Sequence, residues 1–150
     1  MAAMELDRVV FHVKHLEVAA LDLREFSGIG YSPDVLEKIE GMASIGVAMT
    51  LMYDGRIVGF TGYFQLWPGV AEVWLIPTKY VKDRPLLLVR TLKRYIEGIV
   101  ENLKLHRIQT TSIDDQRHNR FLEVLGFESE GVAKDYIRRG SDHRYWARRF

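Results

Sequence analysis

This chain of 150 residues contains no cysteine. Without thiols it can build neither a disulfide framework nor a thiolate zinc site. Proline is scarce, with four in all, so each one acts as positional punctuation. Charge of one sign is lacking too. The 21 Lys and Arg against 20 Asp and Glu leave a net charge of +1, and no global basic field draws the chain to nucleic acid. No apolar run reaches the length of a membrane span. The start, Met1-Ala2-Ala3-Met4-Glu5, has neither a positive n-region nor an apolar h-region, so it does not read as a secretory signal. His12 and His15 stand three apart with no third ligand at a telling spacing, so no metal is expected. No Ser sits in a nucleophile elbow. What is present is 47% hydrophobic and 27% charged, the profile of one globular domain spanning 1–150, expected in the cytoplasm.

Strand and helix patterns alternate along it. Arg8 to Val13 is β-prone, and His15 to Phe26 carries Leu16, Ala19, Ala20, Leu23 and Phe26 at helical spacing. Ser27-Gly28-Ile29-Gly30 ends that helix. Ser32-Pro33 opens a second as N-cap and first helical residue, running through Val35, Leu36 and Ile39 to a stop at Gly41. Val47 to Met52 and Ile57 to Gln65 read as strands joined by the tight turn Tyr53-Asp54-Gly55-Arg56. Gly59 and Gly62 mark a bulge or a close backbone approach. Trp67-Pro68-Gly69 turns again into Val70 to Ile76. Pro85 to Lys104 is the clearest helix. Its apolar stripe is Leu88, Leu92, Tyr95, Ile96, Ile99 and Leu103, and Arg90, Lys93, Arg94, Glu97 and Glu101 face water. His106 to Ile113 follows as a strand, so a right-handed crossover and parallel pairing are expected. A short helix over Asn119 to Leu125 stops at Gly126. Closing strands are expected near Gly131–Ile137 and His143–Arg149.

The stretch Glu72-Val73-Trp74-Leu75-Ile76-Pro77, the break after it and the helix from Pro85 form a strand–loop–helix unit. Such a unit can bind phosphate through outward N–H groups. The order β-α-α-β-β-β-α-β-α-β-β resembles that of the GNAT acetyl-CoA-dependent N-acetyltransferases over nearly the whole chain. Phe121-Leu122-Glu123-Val124-Leu125-Gly126-Phe127 is similar to that family's segment ending in Leu-Gly-Phe. The resemblance implies an α/β (α+β) fold, with a central mixed, mostly antiparallel sheet of about seven strands flanked by about four helices.

It also implies acetyl-CoA as cofactor and an amine as acceptor, and it makes residue-level demands. The pantetheine arm would pair with the main chain of Trp74, Leu75 and Ile76. The family's glycine-rich phosphate pattern, laid without gaps on Leu75-Ile76-Pro77, puts its glycines on Val81, Asp83 and Pro85. Val81 resists positive φ, Asp83 repels phosphate, and Pro85 has no N–H. Lys79, Lys82 and Arg84 are then the candidate cofactor-binding cations, with a solvated basic loop as the plainer reading. The family's acidic Tyr falls on Leu122, which cannot donate a proton. Tyr136 and Tyr145, read into the closing strands, are the candidate replacements, with sheet aromatics as the commoner reading, and Tyr136 is carried as a candidate catalytic residue. Glu72 is the candidate base. If Val73 and Leu75 point into the core of an ordinary sheet, alternation turns Glu72 toward a substrate cleft or solvent, with solvent slightly favoured. His106 and His118 lie at element ends near the expected cleft.

A narrower resemblance gathers these departures. Phage-encoded GNAT-like proteins of the internal virion protein A-like kind are similar at Val73-Trp74-Leu75, the glycine-free 79–84 segment, Arg90 and Leu122. This implies phage structural proteins as partners, a location in the host cytoplasm or the virion, and an assembly or binding role with a degenerate acetyl-CoA site. The alternative is an active N-acetyltransferase. The C-terminal run Lys134, Arg138, Arg139, Arg144, Arg148 and Arg149, interleaved with aromatics, is expected on the solvent face, with neither membrane nor nucleic acid as partner.

Overall fold

The computed structural model describes residues 5–26 and 33–150, and no side chain from Ala20 to Val35. The Ser27–Gly30 stop, the Ser32 cap and the side chains of Ala20, Leu23 and Phe26 lie outside the described residues. In chain order the elements are β1 (Asp7–Val10), α1 (Val13–Phe26), α2 (Pro33–Ser44), β2 (Val47–Tyr53), β3 (Arg56–Trp67) and β4 (Val70–Pro77). A 3-10 turn follows at Lys79–Asp83, then α3 (Pro85–Leu103), β5 (Arg107–Ile113), α4 (Gln116–Val124), β6 (Glu128–Ala133) and β7 (His143–Arg149). The seven strands form one sheet in the order β1-β2-β3-β4-β5-β7-β6. Only β4 with β5 pairs in parallel among the registers described. β1–β2, β2–β3, β5–β7 and β6–β7 are antiparallel. This is the mixed α+β architecture that the order of elements implied.

The chain divides into two compact units, Met1–Phe64 with Trp74–Thr91, and Gln65–Val73 with Leu92–Phe150. In the first, Leu16 and Ala19 of α1, Ile39 of α2, Ala48, Ile57, Phe60 and Trp74 form a buried cluster. Phe11 packs edge-on to Phe60 at 5.8 Å. The turn between β2 and β3 has φ of 51° at Asp54 and 73° at Gly55. Two successive positive φ values define the turn whose twist suits a two-residue hairpin. Both strand glycines have steric reasons. The register steps from Leu51↔Gly59 to Met52↔Ile57, leaving Val58 as a bulge beside Gly59. A Cβ on Gly62 would strike the Val47 carbonyl and come within 2.7 Å of the Trp74 ring.

The second unit rests on the stripe Leu92, Tyr95, Ile96 and Ile99 of α3, on Ile108, and on Leu122, Phe127 and Trp146, all buried. At the end of α4, Gly126 takes φ 90°. Its N–H donates to the Glu123 carbonyl at 2.9 Å, and that of Phe127 to the Leu122 carbonyl at 3.0 Å, a C-terminal motif that favours glycine.

Several expected boundaries move. β1 ends at Val10 because His12 turns to head α1. Lys14 N–H donates to His12 Nδ1 and His12 N–H to His15 Nδ1, both at 3.1 Å. α2 runs through Gly41 to Ser44, since one glycine weakens a helix without ending it. α4 begins at Gln116, capped by Asp115, whose Oδ1 accepts the His118 N–H at 2.8 Å. β6 starts at Glu128 and stops at Ala133, so Tyr136 lies in the turn before β7 and not in a strand. Asp135, at φ 50°, turns the chain there. No helix among the described residues is long and apolar enough to cross a membrane.

Candidate functional site

In the first unit the segment after β4 is closed. Where a glycine cradle would present N–H groups, Lys79–Asp83 winds into a 3-10 turn. Thr78 anchors it: its hydroxyl, fully buried, donates to the Ile57 carbonyl at 2.7 Å and lies 3.1 Å from that of Val58. Tyr80 N–H donates back to Thr78 Oγ1 at 3.3 Å, and Val81 N–H to the Thr78 carbonyl at 3.2 Å. Two donors that a phosphate would need are thus consumed internally. Val81 itself is buried, and Pro85 at the head of α3 has no N–H. The acetyl-CoA that the fold family implies does not fit this segment by the usual main-chain grip.

The candidate cations are tied into the same unit. Arg84 stacks over Tyr53 at 5.0 Å, and its Nη1 donates to the Asp83 carbonyl at 3.0 Å. A hydrogen bond with Tyr53 raises its pKa further. Lys79 Nζ lies 5.4 Å from the centre of the Tyr80 ring, whose face also receives Arg56 at 4.9 Å. Lys82 is exposed. Tyr53, Asp54, Arg56, Val58, Tyr80, Asp83 and Arg84 line a cleft of about 120 Å³. Asp54 and Asp83 offset the two arginines there. The loop is solvated at Lys82 and Arg84, and it is also a stacked, capped turn.

Trp74, Leu75 and Ile76 precede it. The ordinary-sheet alternative, with Val73 and Leu75 in the core, is not met. Both are only half-buried, and the buried side chain is Trp74, inside the cluster with Phe60 and Ile39. The Trp74 carbonyl accepts from Thr61 Oγ1 at 2.8 Å. Its buried indole Nε1 has no hydrogen-bond partner among the described residues.

In the second unit Glu72 is half-buried rather than solvated, so the mild preference for solvent is also corrected. Gln109 Nε2 donates to its Oε2 at 3.1 Å. Burial pushes the Glu72 carboxyl up from its ordinary range, against the lowering effects of Gln109 and of the Arg107 charge. A partly desolvated carboxylate with one hydrogen-bonded oxygen is a candidate proton acceptor. Tyr136 is half-exposed and packs on His143 at 5.1 Å and on Tyr145 at 6.1 Å. Leu122, at the acid position, is buried and apolar.

The remaining candidate histidines are held by local bonds. His118 Nδ1 sits 2.7 Å from Asp115 Oδ1. The main chain of His106 is stitched to Gly69 and Phe150 at 2.9 Å each. Gly69, at φ 84°, leaves no room for a Cβ beside the His106 ring. Among the described residues no group of three acidic or histidine side chains is placed to hold a metal. The basic C-terminal run lies largely on the solvent face, as expected: Lys134, Arg138, Arg139 and Arg149 are exposed, and Arg144 and Arg148 are half-buried. Arg144 pairs with Asp114 at 2.9 Å, Lys134 with Asp142 at 3.0 Å, and Arg148 donates to the Leu125 carbonyl at 3.3 Å.

Sequence reasoning missed Gln109, which bonds Glu72, and Arg107 and Glu130, which follow in the same chain of hydrogen bonds. The parallel crossover was the available signal for Gln109, because it makes β4 and β5 neighbours. Nothing in the residue pattern specified the register Glu72↔Gln109.

No protein-family model matches the chain, and no curated protein matches it in sequence. Solved structures do match in fold. A spermidine N-acetyltransferase chimera of Vibrio cholerae SpeG and hSSAT superposes with a TM-score of 0.77 at 14% identity, covering 97% of this chain and 95% of that one. RimL, a ribosomal alpha-N-protein acetyltransferase in complex with coenzyme A, gives 0.76 at 12% identity over 100% and 97%. A GNAT-family acetyltransferase from Bacillus anthracis gives 0.69 at 17% identity over 97% and 96%. The chain has the GNAT acetyltransferase fold.

Proposed function

We propose, from the GNAT fold as premise, that this chain is an N-acetyltransferase-like protein acting by binding rather than by acetyl transfer. Its acetyl-CoA site is degenerate, and its role is in a phage virion or its assembly. The carrying observation is the closed turn at Lys79–Asp83, where Thr78 takes up the N–H groups of Tyr80 and Val81. Buried Leu122 at the acid position supports the same reading. The phage assignment draws on the resemblance at Val73-Trp74-Leu75, Arg90 and Leu122. Phage structural proteins as partners, in the host cytoplasm or the virion, belong to this proposal, as does action as a single domain. A thermal melt with acetyl-CoA tests it. A ligand at a hundredfold excess over its Kd stabilises by about 2.7 kcal/mol. The proposal expects no change in Tm at millimolar acetyl-CoA, and a saturable rise overturns it.

One observation favours a second reading, an amine N-acetyltransferase with Glu72 as base. Glu72 is desolvated and hydrogen-bonded at a single oxygen by Gln109, an arrangement suited to receiving a proton from an ammonium. On this reading Tyr136 would be the replacement acid. Steady turnover of acetyl-CoA with a primary amine, lost in Glu72→Gln, would establish it. Absence of turnover over the amines tried leaves the binding role in place.

A further inference from the structure

Glu72 is held by a row of side chains that crosses the second unit. The parallel ladder sets it opposite Gln109. A glutamine amide can present either its oxygen or its NH2 to a neighbour. Here the oxygen is committed, because Arg107 Nε donates to Gln109 Oε1 at 3.0 Å. Only the NH2 is left for Glu72.

Arg107 is fixed in turn by a two-pronged pair with Glu130, its Nη1 donating to Oε2 at 2.9 Å and its Nη2 to Oε1. Such a fork holds a guanidinium in one orientation. Glu130 reaches it because it is the extra residue of a bulge in β6. Ser129 pairs with Trp146 and Gly131 with Tyr145, consecutive residues of β7, leaving Glu130 between them. A bulge re-aims the side chain it carries, and Gly131 at φ 126° supplies backbone that other residues resist.

The row Glu130–Arg107–Gln109–Glu72 therefore leaves one atom unengaged. Glu72 Oε2 accepts from Gln109, while Oε1 accepts no hydrogen bond among the described residues. Alternation and register put Glu72 and Gln109 on the same face as Thr111 and the half-exposed Tyr145.

We propose that Gln109 is a positioning residue, locked by Arg107 and Glu130, that grips Glu72 by Oε2 and presents Oε1 to an amine. The proposal rests on Glu72 as the amine-facing carboxylate, whether that amine is acetylated or only bound. It is independent of acetyl-CoA.

Carboxyl NMR titration of Glu72 in the full chain tests it, with acetyl-CoA absent throughout. In the wild type the Gln109 NH2 signals should follow the Glu72 titration. Gln109→Met should move the Glu72 midpoint upward, since a bond that favours the charged form is lost. Arg107→Lys keeps the charge but loses the fork, and should uncouple the Gln109 NH2 signals from Glu72. Glu130→Gln, which keeps the shape, serves if that variant does not fold. An unmoved midpoint in Gln109→Met, or coupling that survives loss of the fork, overturns the positioning role. Butylamine at neutral pH is the probe amine. It should shift the Glu72 and Gln109 signals in the wild type and leave the Glu72 signal in place in Gln109→Met. Intact coupling with no response to butylamine overturns the amine assignment instead.

Discussion

His12 and His15 show how two residues of ambiguous purpose acquire one from their hydrogen bonds. Backbone N–H groups can only donate, so both imidazoles present Nδ1 as an acceptor at the head of α1. His15 Nδ1 also lies 2.8 Å from Thr50 Oγ1, tying the helix to β2. The pair acts as a reciprocal cap of the kind usually made by Ser or Thr with Glu. His15→Ala should cost about 1 kcal/mol in urea denaturation. His15→Asn, which keeps a side-chain acceptor, should recover part of that loss. Equal stability of the two variants would contradict the capping role. The sequence displayed the spacing of these histidines but not their partners, because a cap depends on backbone geometry that spacing alone leaves open. Glu72 was visible as a charged residue in a strand. Its half-burial was not, since that depends on which neighbours β4 acquires.

Among the elements, those governed by local chemistry were readable and those governed by tertiary contact were not. Tyr53-Asp54-Gly55-Arg56 makes a hairpin because Asp and Gly accept positive φ, and that preference travels with the residues. Gly126 ends α4 for a similar local reason. The 3-10 turn at Lys79–Asp83 is different. It depends on Thr78 reaching the carbonyls of β3, a contact distant in sequence. Likewise β6 stops at Ala133 and Asp135, at φ 50°, turns the chain, so Tyr136 falls outside the strand, although the residues from Gly131 to Ile137 read as one. Thr78→Val keeps the side-chain shape but removes the hydroxyl, leaving the Ile57 carbonyl and the Tyr80 N–H without their partner. A loss of about 1–3 kcal/mol is expected in chemical denaturation, with faster hydrogen exchange at Tyr80. A variant as stable as the wild type would show that the turn is not anchored there.

Across the whole molecule the order of elements was legible early, since alternating periodicities and glycine stops fix it. The closed phosphate segment was legible only as missing glycines. The second unit also carries an acid sensitivity. Hydrogen bonds from Arg144 and Asn119 hold Asp114 below its ordinary value, and that from Arg107 does the same for Glu130. Asp142 is lowered by the Asp135 N–H and Lys134. Burial pushes Asp115 up, but its bonds from His118 outweigh this and leave it lowered. A carboxylate with a depressed folded pKa contributes stability above its unfolded pKa, and that contribution is lost as pH falls through the folded value. Glu72, being raised, has the opposite sign. Its contribution is present at low pH and lost as pH rises through its folded value, so Glu72→Gln should be no less stable than the wild type at neutral pH. Hydrogen exchange followed from about pH 5 down to about pH 2.5 should show falling protection in β5, β6 and β7. Constant protection of those strands over that range would contradict the assignment.

The central claim is that the segment between β4 and α3 no longer grips a pyrophosphate with its main chain. Amide NMR of the intact chain during titration with acetyl-CoA measures this at the atoms concerned. The N–H signals of Tyr80 and Val81 should stay in place at millimolar ligand, because Thr78 already holds both. Saturable shifts running from Tyr80 into the first turn of α3 would contradict the claim and restore a working cofactor site.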